Sequence, residues 1–316
     1  MNSETFEIVY DGPALAEHQM DVRDLAPALH GLGVLIRSAN ASLNSDRAAV
    51  RVLINSEHKR GCFSISVDVL QDIMGAAKSL LGSEGVKSAK DILEWMQILG
   101  IMGTGGLFAY FKWKNGRKTE SIQSITDNGG SGSVQVNVEG DGNTVYIIPR
   151  EVYQLSTDPN IAKATKEILQ PLKKPGIESL ITKDEGVEKL RIVRQDVPSI
   201  ERSCESVLTQ EVILSQHIIL AHLKPYDAEF NPEAKTWGFW YGANHITVDI
   251  TSTAIAKDAV ERRQVSMDDI YKVDLEIIQR RLPSGIHRVD YKIVNPYERY
   301  SGPTQNDLFD DVNPAA

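Results

Sequence analysis

Cysteine is nearly absent: Cys62 and Cys204 are the only two in 316 residues. That excludes a disulfide framework and a Cys-rich zinc site, and it points to a reducing cytoplasm. Positive charge is also short, with 34 basic against 43 acidic side chains and a formal net charge of -9. A general attraction to nucleic acid is thereby opposed, whereas a local basic patch is not. Phosphate-cradling GxxxxGK[ST], GxGxxG after a strand, a GxSxG elbow and HExxH are all missing, so catalysis is the weakest function class. The opening MNSETFEIVYDG has neither a basic n-region nor an apolar h-region, and no signal peptide is expected. What is present is ordinary globular material, 41% hydrophobic and 24% charged. This amounts to two or three domains with a substantial core.

Phe6 to Tyr10 reads as a strand closed by Asp11-Gly12-Pro13. From Val22 the apolar positions Leu25, Leu29, Leu32, Ile36 and Leu43 keep helical spacing, with Asp21 as cap and Pro27 tolerated near the start. Val50 to Ile54 and Phe63 to Val69 follow as strands around a basic turn at His58-Lys59-Arg60-Gly61, then an amphipathic helix from about Val69 to Leu81. Val134, Val136 and Val138 alternate with polar residues and are answered by Thr144 to Ile148, a hairpin signal. Arg150 to Ser156 reads as helical, and Asp158-Pro159 opens another helix to about Leu172. Beyond Glu211 the pattern is mostly β: Val212 to Leu223, Trp237 to Tyr241, His245 to Ile250, Tyr271 to Ile278 and His287 to Val294. One helix, from about Ser252 to Arg263, interrupts these runs, which suggests a compact barrel or curled sheet.

The most informative stretch is Ile92 to Phe111, 20 residues in which Glu94 and Gln97 are the strongly polar side chains. As one helix it spans about 30 Å, the thickness of a hydrocarbon core. Trp95 lies near one end, with Tyr110 and Trp113 at the other, where interfacial rings settle. Lys112, Lys114, Arg117 and Lys118 then form a basic stop. Gly100 with Thr104, and Gly105 with Ala109, repeat small-xxx-small spacing, and Gly100, Gly103 and Gly106 are expected to let neighbouring helices approach closely. The competing reading is a buried core helix of a soluble assembly. A single permanent span would also separate the first ninety residues from the rest, which storage inside an oligomer until activation avoids.

The expected fold class is therefore α+β. Residues 1–85 form a small β-α-β-β domain, 86–118 a hydrophobic and possibly transmembrane helix with its basic flank, and 119–133 a linker. A hairpin plus helical region at 134–200, a β-rich domain at 201–300 and an acidic tail at 301–316 complete the chain.

The segments FEIVYDGPALAEHQMDVRDLAPALHGLGVLIRSANASLN, KRGCFSISV and ILEWMQILGIMGTGGLFAYFKWKNGRK, in that order, resemble the membrane-channel effectors of the Hailong anti-phage defence system. The resemblance covers most of the chain in order of elements, and none of its motifs is diagnostic. It implies a homo-oligomeric, tetrameric ion channel in the inner membrane with soluble domains in the cytoplasm. It further implies restraint by short DNA oligonucleotides made by a partner nucleotidyltransferase, and abortive infection on release. The alternative is a soluble oligomeric binding or scaffold protein. The residues offer Lys163, Lys166, Lys173, Lys174, Arg191 and Arg194 as an anion-binding set, among nearby acids that favour a mixed solvated face. Neither a cofactor nor a metal is expected. His217 and His222 fall on opposite strand faces, and Cys204 has no activating histidine.

Overall fold

The computed structural model describes residues 2–17, 19–55, 63–73, 90–103, 105–126, 132–140, 145–262 and 265–300. The protein is mixed α+β, and it divides into two compact units, Met1–Val212 and Ile213–Ala316.

In the first unit, β1 (Asn2–Asp11) leads through a short turn to α1 (Val22–Asn44), whose N-cap Asp21 accepts a hydrogen bond from the Arg23 amide at 2.9 Å. β2 (Ala48–Asn55) and β3 (Phe63–Ile73) follow. Val69 to Ile73 thus continue a strand where a helix was expected, and residues 74–81 of that expectation lie outside the described residues. Alternation decides the matter: Ile65, Val67, Val69 and Gln71 share one buried face, the period of a strand.

The apolar stretch is two helices, α2 (Ile92–Leu99) and α3 (Gly106–Lys114), in place of the single helix expected. No described helix is long and apolar enough to cross a membrane. The linker expected at 119–133 is also displaced by structure. Thr119–Thr126 is β4, and Gly132–Val138, β5, pairs with it and with β6 (Val145–Pro149) in a three-stranded sheet. Residues 127–131 lie outside the described residues. The hairpin register is the one the alternation implied, with Val134 opposite Ile148 and Val136 opposite Tyr146.

α4 (Arg150–Ser156) and α5 (Pro159–Leu169) come next, and the Asp158 side chain caps α5 through the Asn160 amide at 2.7 Å. β7 (Ser179–Asp184) and β8 (Val187–Val193) then return to the first sheet, in the order β2-β3-β1-β7-β8. Residues 1–85 therefore do not close a sheet of their own, because β1 is hydrogen-bonded on one side to β3 and on the other to β7. α6 (Val197–Thr209) ends the unit and runs across the boundary expected at residue 200.

The second unit carries β9 (Val212–Asp227), β10 (Thr236–Tyr241), β11 (Asn244–Asp249), α7 (Ile255–Arg262), β12 (Ile270–Arg281) and β13 (His287–Tyr300). The strands close a barrel in the order β10-β11-β13-β12-β9; β9–β10, β10–β11 and β12–β13 are antiparallel and β11 runs parallel to β13. Within the barrel's own count this is 1-2-3-5-4-1 with a helix between strands 3 and 4, the strand order of the OB-type barrel. Leu223, Trp237, Phe239, Val248, Val273, Leu275 and Ile293 fill its interior.

Candidate functional sites

Two parts of the molecule carry chemistry beyond ordinary packing, and the apolar pair α2–α3 is the first. Gly100 ends α2 in the left-handed conformation at φ 80°, and its amide bonds to Gln97 O at 2.9 Å. A Cβ there would lie 2.4 Å from Gly105 O, and one on Gly106 would lie 2.5 Å from Ile98 O. These two glycines therefore let the chain reverse on itself within one subunit. At Gly103 a Cβ would meet Gln97 at 3.8 Å, an ordinary contact distance, so within one chain Gly103 is not tightly packed. Thr104 lies outside the described residues.

Trp95, Leu99, Leu107 and Phe111 are completely buried and Tyr110 nearly so, so the aromatic ends expected at a membrane interface are core side chains in this conformation. Charges placed at Leu99 and Leu107, both fully buried, would disrupt the fold itself. Trp113 is half-buried and stacks on Tyr146 with centroids 4.5 Å apart, while the Arg117 guanidinium carbon sits 4.9 Å from the Trp113 centroid.

Polar bonds fasten this pair at three places. At its entrance the Lys90 amide donates to Asn44 Oδ1 at 2.7 Å, and buried Gln71 donates to Lys90 O at 3.0 Å. The Lys90 ammonium meets Glu94 at 2.5 Å and Glu151 at 3.3 Å. At the reversal, Thr182 of β7 donates to Ile101 O at 2.6 Å. At the exit, buried Ser203 of α6 donates to Phe111 O at 2.6 Å and accepts from the Gly116 amide at 2.9 Å. The basic stop is engaged rather than displayed: Lys112 pairs with Asp196 at 2.8 Å, and Lys114 is buried. Burial lowers the Lys114 pKa to about 8, against a smaller opposing effect of Cys204.

Four of the six residues offered as an anion-binding set are paired with acids. Lys166 pairs with Glu205 at 2.8 Å, Lys173 with Glu201, Lys174 with Asp24 at 3.3 Å and Arg191 with Glu188 at 2.6 Å. Arg194 donates to Lys173 O at 3.3 Å, and Lys163 is exposed on α5 without an ion pair among the described residues. Lys166, Lys173, Lys174 and Arg191 thus sit on a face of mixed charge. His217 and His222 are both exposed on β9, and no group of three or more possible metal ligands occurs among the described residues. Cys204 is buried and its thiol is pushed up to about 12 by that burial, the environment of an inert thiol.

The second part went unnoticed in the sequence. On the barrel, Tyr226 stacks on His245 at 4.3 Å between centroids, and Trp240 meets the same imidazole edge-on at 3.5 Å. Trp240 remains 39% exposed. A Cβ on Gly238 would lie 2.7 Å from the Tyr226 ring, so the bare glycine is what lets that ring lie flat across the strand. The available signal was Trp240 itself, a large ring at an outward position between the inward Phe239 and a turn. No protein-family model, curated protein or solved structure matches this chain.

Proposed function

We propose that this chain is an oligomeric effector of bacterial anti-phage defence whose apolar pair α2–α3 is a stored form of a membrane-spanning segment. In this reading several copies line an ion channel in the inner membrane, since one hydrophobic helix cannot enclose a pore. The soluble parts stay in the cytoplasm. A short DNA oligonucleotide made by a partner nucleotidyltransferase holds the resting state, and its loss releases the pair. The chain acts as a receptor and pore, without catalysis.

The observation that supports this reading is the way the apolar stretch is held. Its 20 residues are folded at Gly100 and Gly106 into two short helices and tied at entrance, reversal and exit by hydrogen bonds from α1, β3, β7 and α6. A run of that length and apolarity is long enough to span lipid when extended as one helix, and the lipid environment favours a continuous helix because it leaves no backbone group unsatisfied. The rival reading, a permanent core of a soluble scaffold, is favoured by the complete burial of Trp95, Leu99, Leu107 and Phe111.

Flotation of full-length protein from cells, with and without phage infection, separates the two. The effector reading expects membrane partition and depolarisation on infection. Protein that stays in the detergent-free supernatant in both states, with residues 92–111 protected from proteolysis, overturns it.

A further inference from the structure

We infer that β6 is a contact between copies of this chain, pairing antiparallel with β6 of a second copy about a two-fold axis. The inference supplies one contact for the oligomer of the reading above, and it rests on that reading only for what the oligomer does. The pairing itself rests on the sheet β4-β5-β6.

That sheet has two unlike sides. Ile122, Val134, Val136 and Ile148 are buried on one of them. On the other, strand register lays out two rows, Ser121–Asn137–Val145 and Gln123–Gln135–Ile147. Neither row holds a charge, in a chain where 24% of the residues are charged. β6 ends the sheet, and among the described residues no strand pairs with its far side. Val145 is 43% and Ile147 59% exposed, so both of these apolar side chains stand in solvent. Tyr146 between them turns inward and stacks on Trp113 at 4.5 Å between centroids, which fixes the strand on its own unit before any pairing.

An edge strand presents unpaired N–H and C=O groups to any strand that reaches it, and proteins block that pairing by setting charges along the edge. The two open sheets of this chain leave β2, β8, β4 and β6 at edges, while the closed barrel has none. β2 carries Arg51, β4 carries Glu120, and β8 carries Glu188, Lys189 and Arg191. β6, Val145-Tyr146-Ile147-Ile148-Pro149, carries no charge. Its proline stands at the last position, where the missing donor limits how far pairing can run without preventing it.

Charge also selects the partner. At net charge -9, two copies repel over most of their surface, and close approach is least opposed at an edge without charge. A basic partner protein finds no acid on this strand to recognise. Pairing about an axis at Tyr146 sets Val145 of each copy opposite Ile147 of the other, so the exposed β-branched side chains cover one another across the strands. A two-fold contact requires such a self-complementary patch. The product is one continuous sheet built from two copies.

Sedimentation velocity of purified full-length wild type at micromolar concentration should show a dimer or a higher even-numbered assembly. Ile147→Lys should halve its mass, because it places a like charge from each copy beside the axis, and Val145→Lys should act in the same direction. Val187→Lys, at a position 60% exposed on the charged edge β8, should leave the mass unchanged. Val145→Cys combined with Ile147→Cys should cross-link two chains on mild oxidation where either change alone does not, since the facing residues are different ones. A wild type that stays monomeric leaves the edge to some other strand and overturns the inference. So does a mass unmoved by both lysine variants when their circular dichroism matches wild type, or cross-linking by one cysteine variant as ready as by the pair. An assembly broken by Ile147→Lys in protein that never partitions to membrane keeps this contact and removes the effector reading. Membrane partition on infection by an assembly indifferent to Ile147→Lys does the reverse.

Discussion

The two units bury different things, and the contrast shows what holds each of them. Among the described residues, the first unit encloses Asn40, Asn44, Gln71, Lys114, Ser156, Thr165, Ser179, Thr182, Ser203 and Ser206, whereas the barrel encloses Asp269 alone, tied to Arg299 at 2.7 Å. Apolar contact is indifferent to direction and gives the barrel a core that resists any local rearrangement. Buried hydrogen bonds are directional, and each left unmade costs more than it contributed when made. They specify one position for α2 and α3. Lys114 goes further. It is a buried cation in a lowered-pKa environment, so the folded first unit is destabilised by its own charge at neutral pH.

The largest effect that would test the contrast is in the barrel. Phe239→Ala, at a position of zero exposure, should cost about 3–5 kcal/mol through lost transfer energy and the cavity left behind. Urea unfolding followed by barrel tryptophan fluorescence measures it; a cost below about 1 kcal/mol would mean the barrel core rearranges as readily as the first unit's.

Lys114→Met should have the opposite sign. The Lys114 pKa falls from 10.5 to about 8 on folding, so the folded state binds fewer protons than the unfolded state. Wild-type stability is then lowest below pH 8 and rises as pH climbs from 8 toward 10.5. The methionine variant should gain up to about 3 kcal/mol at pH 7, because each tenfold loss of proton affinity on folding is worth about 1.4 kcal/mol, and that gain should fade above about pH 10. Thermal melts at about pH 7 and about pH 10 check both the size and the direction.

Next in size is the reversal. Gly100→Ala meets both a positive φ and a carbonyl 2.4 Å from the added carbon, and should cost about 1–3 kcal/mol. Gly103→Ala has open space and should stay within about 0.5 kcal/mol. Comparable losses at the two positions would mean the reversal is not where the segment is constrained. Ser203→Ala removes a side chain that bridges Phe111 O and the Gly116 amide, for about 1–2 kcal/mol. Hydrogen exchange in residues 107–116 should accelerate while exchange in the barrel does not. Smallest of all is Lys173→Glu with Lys174→Glu. Both lysines are partly exposed and paired with Glu201 and Asp24, so stability in thermal melts should change by less than about 1 kcal/mol.

The barrel was legible because its strands are wet on one side. Val212 to Leu223, Trp237 to Tyr241, His245 to Ile250, Tyr271 to Ile278 and His287 to Val294 each fall inside a strand or overrun it by one residue, and the helix expected from Ser252 to Arg263 contains α7. Alternation between solvent and core writes a period of two into the residues themselves. The same holds for the hairpin of β5 and β6, and Asp158-Pro159 announces a helix start by local chemistry alone. In the apolar stretch α2 buries Ile92, Trp95, Met96 and Leu99 and exposes Leu93, Glu94 and Gln97, but from Ile98 to Phe111 no charged side chain marks a solvent face. Uniform apolarity cannot distinguish one long helix from two short ones, and the glycines that turned out to reverse the chain also fit helix packing. The ion pairs of the six cations were hidden for a related reason: Lys174 finds Asp24 and Lys173 finds Glu201, partners distant in sequence. Trp240, His245 and Tyr226 come from three strands, and nothing short of their register brings them together.

By itself, then, the sequence determined the local elements, because propensity, alternation and capping act over a few residues and need no knowledge of the rest. It also determined that residues 92–111 had to leave water, through apolarity alone. Where they went was a tertiary decision. Asn44, Gln71, Thr182 and Ser203 come from α1, β3, β7 and α6, and only once those elements are packed do their hydrogen-bonding groups converge on the backbone of one apolar segment. The contact of Tyr226, Trp240 and His245 was settled in the same way, since strand pairing joins residues far apart in the chain.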